Sequence, residues 1–189
     1  RRGLHARVKP SASMNISAIA LEKKAAGVDI IPMSAGEPDF DTPDHIKEAA
    51  KRALDAGKTK YTAVDGIPEL KKAIADKFKR ETDLDVDPSN CFVASGGKQI
   101  IYNALVASLN PGDEAVIPAP FWVSYPEMVR LTGATPIILG TSAATEFKIT
   151  PEQLEQSINA NTKWLLLNSP SNPSGAVYSK QELEALAAV

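Results

Sequence analysis

From residue 91 onward, short apolar runs alternate with segments of helical spacing, and this alternation restricts the fold more than any other feature of the chain. Strands are expected over 91–94, 114–117, 135–139 and 163–168, and helices over 98–109, 121–131, 151–158 and from 181 on. Turn chemistry separates them. Asn110-Pro111-Gly112 and Gly133 end two helices, Thr150 caps a third, and Ser179 with Glu182 three residues later forms a capping box for the last. This order gives an α/β fold, with a parallel or mostly parallel sheet sandwiched by helices. The run Trp164-Leu165-Leu166-Leu167 reads as a strand buried on both faces.

Upstream the pattern is mainly helical. Ile16, Ile19 and Ala20, with Gly27 as a stop, predict a helix over 13–26, followed by a short strand over 29–33. Thr42-Pro43-Asp44 supplies an N-cap, a proline for the first turn and an acid at the positive end of a helix dipole. That helix groups Ile46, Ala49, Ala50 and Ala53 on one face and ends at Gly57. Pro68 starts another, in which Leu70, Ile74 and Phe78 share a face.

Composition narrows the function classes. Hydrophobic residues at 43% and charged residues at 23% match a soluble globular protein, and no apolar run approaches the roughly 18 residues a membrane span requires. A net charge of −2, spread without blocks, gives nucleic acid no electrostatic attraction. The single cysteine, Cys91, forms no internal disulfide, which suits a reducing compartment and makes the cytoplasm the expected location. Arg1, Arg2, His5, Arg7 and Lys9 form a basic, acid-free start that reads either as an organelle-targeting stretch or as an exposed approach to a helix.

In such sheets ligands bind at the carboxyl ends of strands, so the loops there carry the candidate chemistry. Ser95-Gly96-Gly97-Lys98 leads directly into a helix and is either a tight turn or an anion cradle of backbone N–H groups and a hydroxyl. It is neither a dinucleotide fingerprint nor a P-loop. In the next loop two prolines, Pro118 and Pro120, precede Trp122, which is either a core residue or a flat surface for stacking on a heteroaromatic ring. Trp164 is assigned to the core. In Asn168-Ser169-Pro170-Ser171-Asn172-Pro173-Ser174-Gly175 two prolines stiffen the chain around Asn172, which serves either the turn or a ligand. Glu37, Asp39 and Asp41 share one loop whose prolines give poor metal geometry, so no metal is expected. His5 and His45 lie away from the strand ends, and no Ser/His/Asp arrangement forms.

Together these segments resemble the N-terminal half of a class I, fold-type I pyridoxal-phosphate aminotransferase, closest to the bacterial aspartate aminotransferase subgroup. The resemblance runs from Lys9-Pro10-Ser11-Ala12-Ser13 through Ala35-Gly36-Glu37-Pro38-Asp39-Phe40-Asp41-Thr42-Pro43, Lys60-Tyr61 with Gly66-Ile67-Pro68-Glu69-Leu70, Ser95-Gly96-Gly97-Lys98-Gln99 and Pro120-Phe121-Trp122-Val123-Ser124-Tyr125-Pro126 to the loop around Asn172. It implies residues 1–40 as an N-terminal arm and small-domain segment, and 41–189 as the N-terminal part of the cofactor-binding large domain. It implies a homodimer. Ser95, Gly96 and Gly97 would hold the cofactor phosphate, Trp122 would stack on the pyridine ring, and Asn172 would bond its phenolic oxygen. Tyr61 would reach the phosphate in the neighbouring subunit. Gly36 would lie against the substrate carboxylate, and Lys98 would meet the distal carboxylate of a dicarboxylic substrate such as aspartate, assisted by Ser11 and Ser13 of the partner chain. The resemblance also suggests cis bonds at Ala119–Pro120 and Asn172–Pro173.

Three family residues have no counterpart here: the Asp that pairs with the pyridine nitrogen, the Schiff-base lysine and the Arg for the α-carboxylate. The expected reading is a transaminase acting on an amino acid and a 2-oxo acid, of which these 189 residues supply no catalytic base and should not transaminate alone. The alternative is a non-catalytic truncated protein that keeps the dimer surface and the phosphate pocket.

Overall fold

The computed structural model describes residues 8, 11–33, 36 and 38–189. The chain's internal contacts divide it into two units, Arg1–Ala35 with Tyr102–Val189, and Gly36–Ile101. Glu37, His5 and the other residues of the basic start except Val8 lie outside the described residues.

The first unit is organised by a three-stranded parallel sheet, β1 (Glu114–Pro118), β2 (Thr135–Leu139) and β3 (Thr162–Leu165), in the order β2-β1-β3. β1 is central, paired on both edges, and its Ala115, Val116 and Ile117 are each fully buried. Each of the larger two contributes about 1.5–3 kcal/mol by leaving water. Its register is even against β2, from Glu114 opposite Thr135 to Pro118 opposite Leu139, and irregular against β3 between Glu114 and Ala115. Val116 shares a core with Ile149, Leu154, Tyr178 and Leu186, onto which Ile137, Leu139, Leu165 and Leu167 pack.

The helices largely fall where the sequence places them. Helix α1 spans Ala12–Ala25, with Ser11 as N-cap accepting from Met14 N at 3.4 Å. In the Gly36–Ile101 unit, α2 spans Asp44–Asp55 and α3 spans Pro68–Thr82. The helix α4 (Gly97–Ser108) precedes β1, α5 (Ser124–Thr132) lies between β1 and β2, α6 (Pro151–Ser157) precedes β3, and α7 (Lys180–Ala187) follows it. Thr150 and Ser179 close capping boxes with Gln153 and Glu182, the second being the box read from the sequence.

Several local expectations are corrected. Residues 29–33 and 91–94 form no strand; neither segment finds a ladder partner among the described residues, and 91–94 is held by one long-range backbone bond, Val93 N to Asp65 O at 3.0 Å. Thr42 does not cap α2, because the extended Pro43 (ψ 140°) takes the N-cap position with no side-chain bond. Helix α5 begins at Ser124, not 121, which leaves Trp122 on the loop ahead of it. The leucine run is half-buried rather than covered on both faces, and among the described residues β3 is an edge strand that pairs only with β1. Trp164 is likewise half-buried, its indole N–H donating to Ser108 Oγ at 2.8 Å. No described helix is long and apolar enough to cross a membrane.

Candidate functional site

In the Gly36–Ile101 unit the candidate residues are built around the turn that opens α4. Gly66 has φ +111°, and a Cβ there would come within 2.6 Å of Val93 Cγ2, so only glycine lets this backbone approach the segment leading into the turn. The neighbouring Asp65 carbonyl accepts the Val93 N–H, and the Lys71 ammonium that bonds the Asp65 carboxylate holds it below the ordinary range for an aspartate. Beyond Ala94 the chain reverses. Gly96 takes φ +87°, its N–H donating to Ala94 O at 2.9 Å, while Ser95 N–H donates to the side-chain carbonyl Oε1 of Gln99, also at 2.9 Å. A Cβ on Gly96 or Gly97 would meet nothing within 4 Å, so both glycines border open space that an anion can enter. No described residue accepts the Gly97 N–H at the start of the helix. This donor set fits a phosphate group: a helix start, an exposed hydroxyl on Ser95, and room where a side chain would otherwise stand.

Tyr61, Gly36 and Lys98 are exposed residues of the same unit. Tyr61 at 107% relative exposure is fully in solvent, so its phenol packs against none of the described residues. Asp39, Asp41 and His45 are exposed, and the described residues contain no group of three His, Cys, Asp or Glu able to hold a metal. Cys91 is buried as a free thiol.

In the other unit the loops after β1 and β3 converge, as adjacent parallel strands require of their carboxyl ends. They line a small cleft with Pro118, Pro120, Phe121 and Tyr125 from one loop, Leu167, Asn168, Ser171 and Asn172 from the other, and Phe147 and Tyr178 closing it. The first loop is pinned through Ala119, whose N–H donates to Leu139 O at 2.8 Å and whose carbonyl accepts the Thr141 hydroxyl. Trp122, half-buried, stands edge-on to Tyr125 at 5.4 Å between ring centroids and 85° between planes. The second loop is folded on itself: Asn172 N–H donates to Asn168 Oδ1 at 2.9 Å, Ser171 N–H to Ala176 O at 2.9 Å and Gly175 N–H to Ser171 O at 2.8 Å. The Asn172 carboxamide is engaged by no described residue. Ala119–Pro120 and Asn172–Pro173 are cis, as the resemblance suggests, and Ser169–Pro170 is a third cis bond that the sequence reading did not anticipate.

The cleft wall has one residue that sequence reasoning passed over. Tyr178 is buried, accepts the Ile149 N–H on its phenolic oxygen at 2.9 Å, and receives the Ser169 hydroxyl as acceptor of its own N–H at 3.0 Å. Burial raises its pKa, the Ile149 bond partly offsetting this, and burial also raises that of Tyr125. A lone tyrosine three residues after a glycine in a polar loop gives no sequence signal of such burial. Ser11 caps α1 and Ser13 is half-buried within it, both in the Arg1–Ala35 segment.

Comparison with known proteins follows the same lines. A family model described as aminotransferase class I and II matches residues 28–189. The aspartate/prephenate aminotransferase of Cereibacter sphaeroides is 62% identical over 184 residues, covering 97% of this chain and 46% of that protein. The protein of the same name from Thermus thermophilus is 52% identical, with 98% and 49% covered. Among solved structures, the aspartate aminotransferase of Thermus thermophilus with maleate superposes with a TM-score of 0.94 at 51% identity, and that of Rhizobium meliloti with 0.94 at 46%; each covers 100% of this chain and 50% or 47% of the other. The chain therefore spans about half the length of the curated relatives it matches. With the α/β sheet, the glycine turn and the strand-end loops of this fold all present, the chain belongs to the class I and II aminotransferase family.

Proposed function

We propose that this chain is the cofactor-holding part of a pyridoxal-phosphate-dependent aminotransferase that moves an amino group between an amino acid, aspartate foremost, and a 2-oxo acid. The observation that carries the reading is the glycine turn at Gly96 and Gly97, open to an anion at the start of α4, in a chain 62% identical to an aspartate/prephenate aminotransferase. Pyridoxal phosphate, when bound, supplies the electron sink for chemistry at the amino acid's α-carbon.

The chain's own residues bind and orient. The Ser95 hydroxyl and the Gly97 N–H donate to the phosphate, where the partial positive charge of the helix start is strongest. Trp122 would hold the pyridine ring by stacking on it. The Asn172 carboxamide donates to the phenolic oxygen, held by a backbone that Asn168 and two flanking prolines restrain. Tyr61, packed against none of the described residues, reaches the phosphate of a second copy, so the working unit is a homodimer. Gly36 leaves room for the substrate α-carboxylate, and Lys98, with Ser11 and Ser13 of the partner chain, receives the distal one. A dicarboxylate preference agrees with maleate, itself a dicarboxylate, in the Thermus thermophilus structure, and prephenate is a second 2-oxo acid to test because relatives carry its name. The covalent lysine comes from outside these residues, and the site works in the cytoplasm.

The test is an amino-transfer assay on the protein at the full length its gene encodes, with pyridoxal phosphate, aspartate and 2-oxoglutarate or prephenate. Amino transfer from aspartate that falls when Lys98→Ala is introduced supports the reading. Absence of any transfer from aspartate, glutamate or an aromatic amino acid contradicts it.

A further inference from the structure

We propose that Gln99 is a positioning residue for the phosphate end of the cofactor site, its side-chain carbonyl clamping the Ser95 amide so that the turn presents the Ser95 hydroxyl and the Gly97 N–H outward. The proposal rests on the functional reading above and deepens it, because it names what shapes the cradle rather than what touches the ligand.

Amide accounting leads to it. Of the N–H groups where the chain enters α4, Ser95's is taken by Gln99 Oε1 at 2.9 Å, Gly96's by Ala94 O at 2.9 Å and Gln99's own by Gly96 O at 3.2 Å. Gly97's is accepted by no described residue. The turn is thereby closed on both sides. At its entry Val93 is tied to Asp65 O and pressed against Gly66; at its exit the Gln99 side chain reaches back over one helical turn, the direction in which helical side chains point. Without that reach, Ser95 N–H would be one more donor without a partner on a glycine pair with wide conformational freedom.

The choice of amide over acid also has a physical reason. A glutamate at this position would accept the same N–H, yet would set a full negative charge one turn from an incoming dianion. Glutamine is a neutral acceptor, so it shapes the turn without weakening its attraction for phosphate. The position is solvent-exposed on a helix, where methionine and glutamate have comparable helix propensity, so substitutions there leave folding intact.

The experiment uses the protein at the full length its gene encodes, with Gln99→Met, which removes the acceptor, and Gln99→Glu, which keeps it and adds charge. Hydrogen exchange on peptides spanning Ser95 is expected to speed up in Gln99→Met and to remain protected in Gln99→Glu. The Kd for pyridoxal phosphate is expected to rise about three- to tenfold in Gln99→Met, the worth of one hydrogen bond, and also to rise in Gln99→Glu, while the Kd for pyridoxal, which lacks the phosphate, stays the same in all three. Unchanged Ser95 exchange in Gln99→Met, or equal losses for pyridoxal and pyridoxal phosphate, would overturn the proposal. A parent protein that binds no pyridoxal phosphate would overturn the functional reading instead, and Ser95 exchange would still decide whether the clamp exists.

Discussion

Asn168 and Asn172 are joined head to tail within one loop, the Oδ1 of the first accepting the backbone N–H of the second at 2.9 Å. The bond converts the segment after β3 into a closed ring and fixes the backbone from which the Asn172 carboxamide projects into the cleft. Asn168→Ala is expected to cost about 1 kcal/mol of stability, the net worth of one such bond, and to weaken pyridoxal phosphate binding. Asn168→Asp keeps the acceptor and should retain the fold. Chemical denaturation and cofactor titration of both variants check this; equal binding in Asn168→Ala and the parent would show that the ring does not set Asn172.

Gly66 leaves no room for a side chain beside Val93. Gly66→Ala adds a Cβ 2.6 Å from Val93 Cγ2 at φ +111°, and destabilisation of about 1–3 kcal/mol is expected from overpacking and backbone strain together. Val93→Ala in the same molecule removes the closer contact, at Cγ2, and leaves the one to its own Cβ at 2.9 Å together with the strain. A double-mutant cycle by denaturant unfolding should therefore give a positive recovery smaller than the whole loss. Full additivity would contradict the contact.

Lys148 ties the loop before α6 to α7, bonding Glu182 at 2.7 Å and Glu146 at 2.9 Å. It holds the Glu182 carboxyl down from 4.5 to about 2, helped by the Ser179 N–H, and is itself raised above 10.5. Between those two acid values the unfolded chain binds the proton at Glu182 and the folded chain does not, so this contribution to stability is complete above about pH 4.5 and is lost as pH falls towards 2. On the alkaline side the Lys148 contribution is complete below 10.5 and is lost as pH rises through its raised value. Thermal melts against pH should show a steeper acid decline for the parent than for Glu182→Gln. Parallel profiles would contradict the pairing.

Much of this architecture is legible in the sequence, for reasons that differ by element. Glycine stops, capping boxes and the period of apolar residues are local, so α4, α6, α7 and β2 fall within a residue or two of expectation. Residues 91–94 have the composition of a strand, yet a strand exists only where a neighbour supplies a ladder, and pairing is not local information. Trp164 and the leucines after it follow similar logic: the pattern records what the run can bury, while its actual burial depends on what packs on the two faces of the sheet. At the site, Ser95, Gly96, Trp122 and Asn172 each admit a structural reading as turn or core when taken alone, and it is the order of the motifs, as a family resemblance, that singles them out. Gln99 and Tyr178 are not singled out, because a side chain bonding a backbone N–H depends on its rotamer and on the path of a distant segment.

The most direct measurement follows the fluorescence of Trp122 in the protein at the full length its gene encodes, with Trp164 and every other tryptophan replaced by Phe, as pyridoxal phosphate is added. Saturable quenching is expected, lost when Trp122 is also replaced by Phe and shifted to higher cofactor concentration by Asn172→Ala. Fluorescence that stays constant while pyridoxal phosphate binds would place the ring elsewhere and contradict the assignment of this loop to the cofactor.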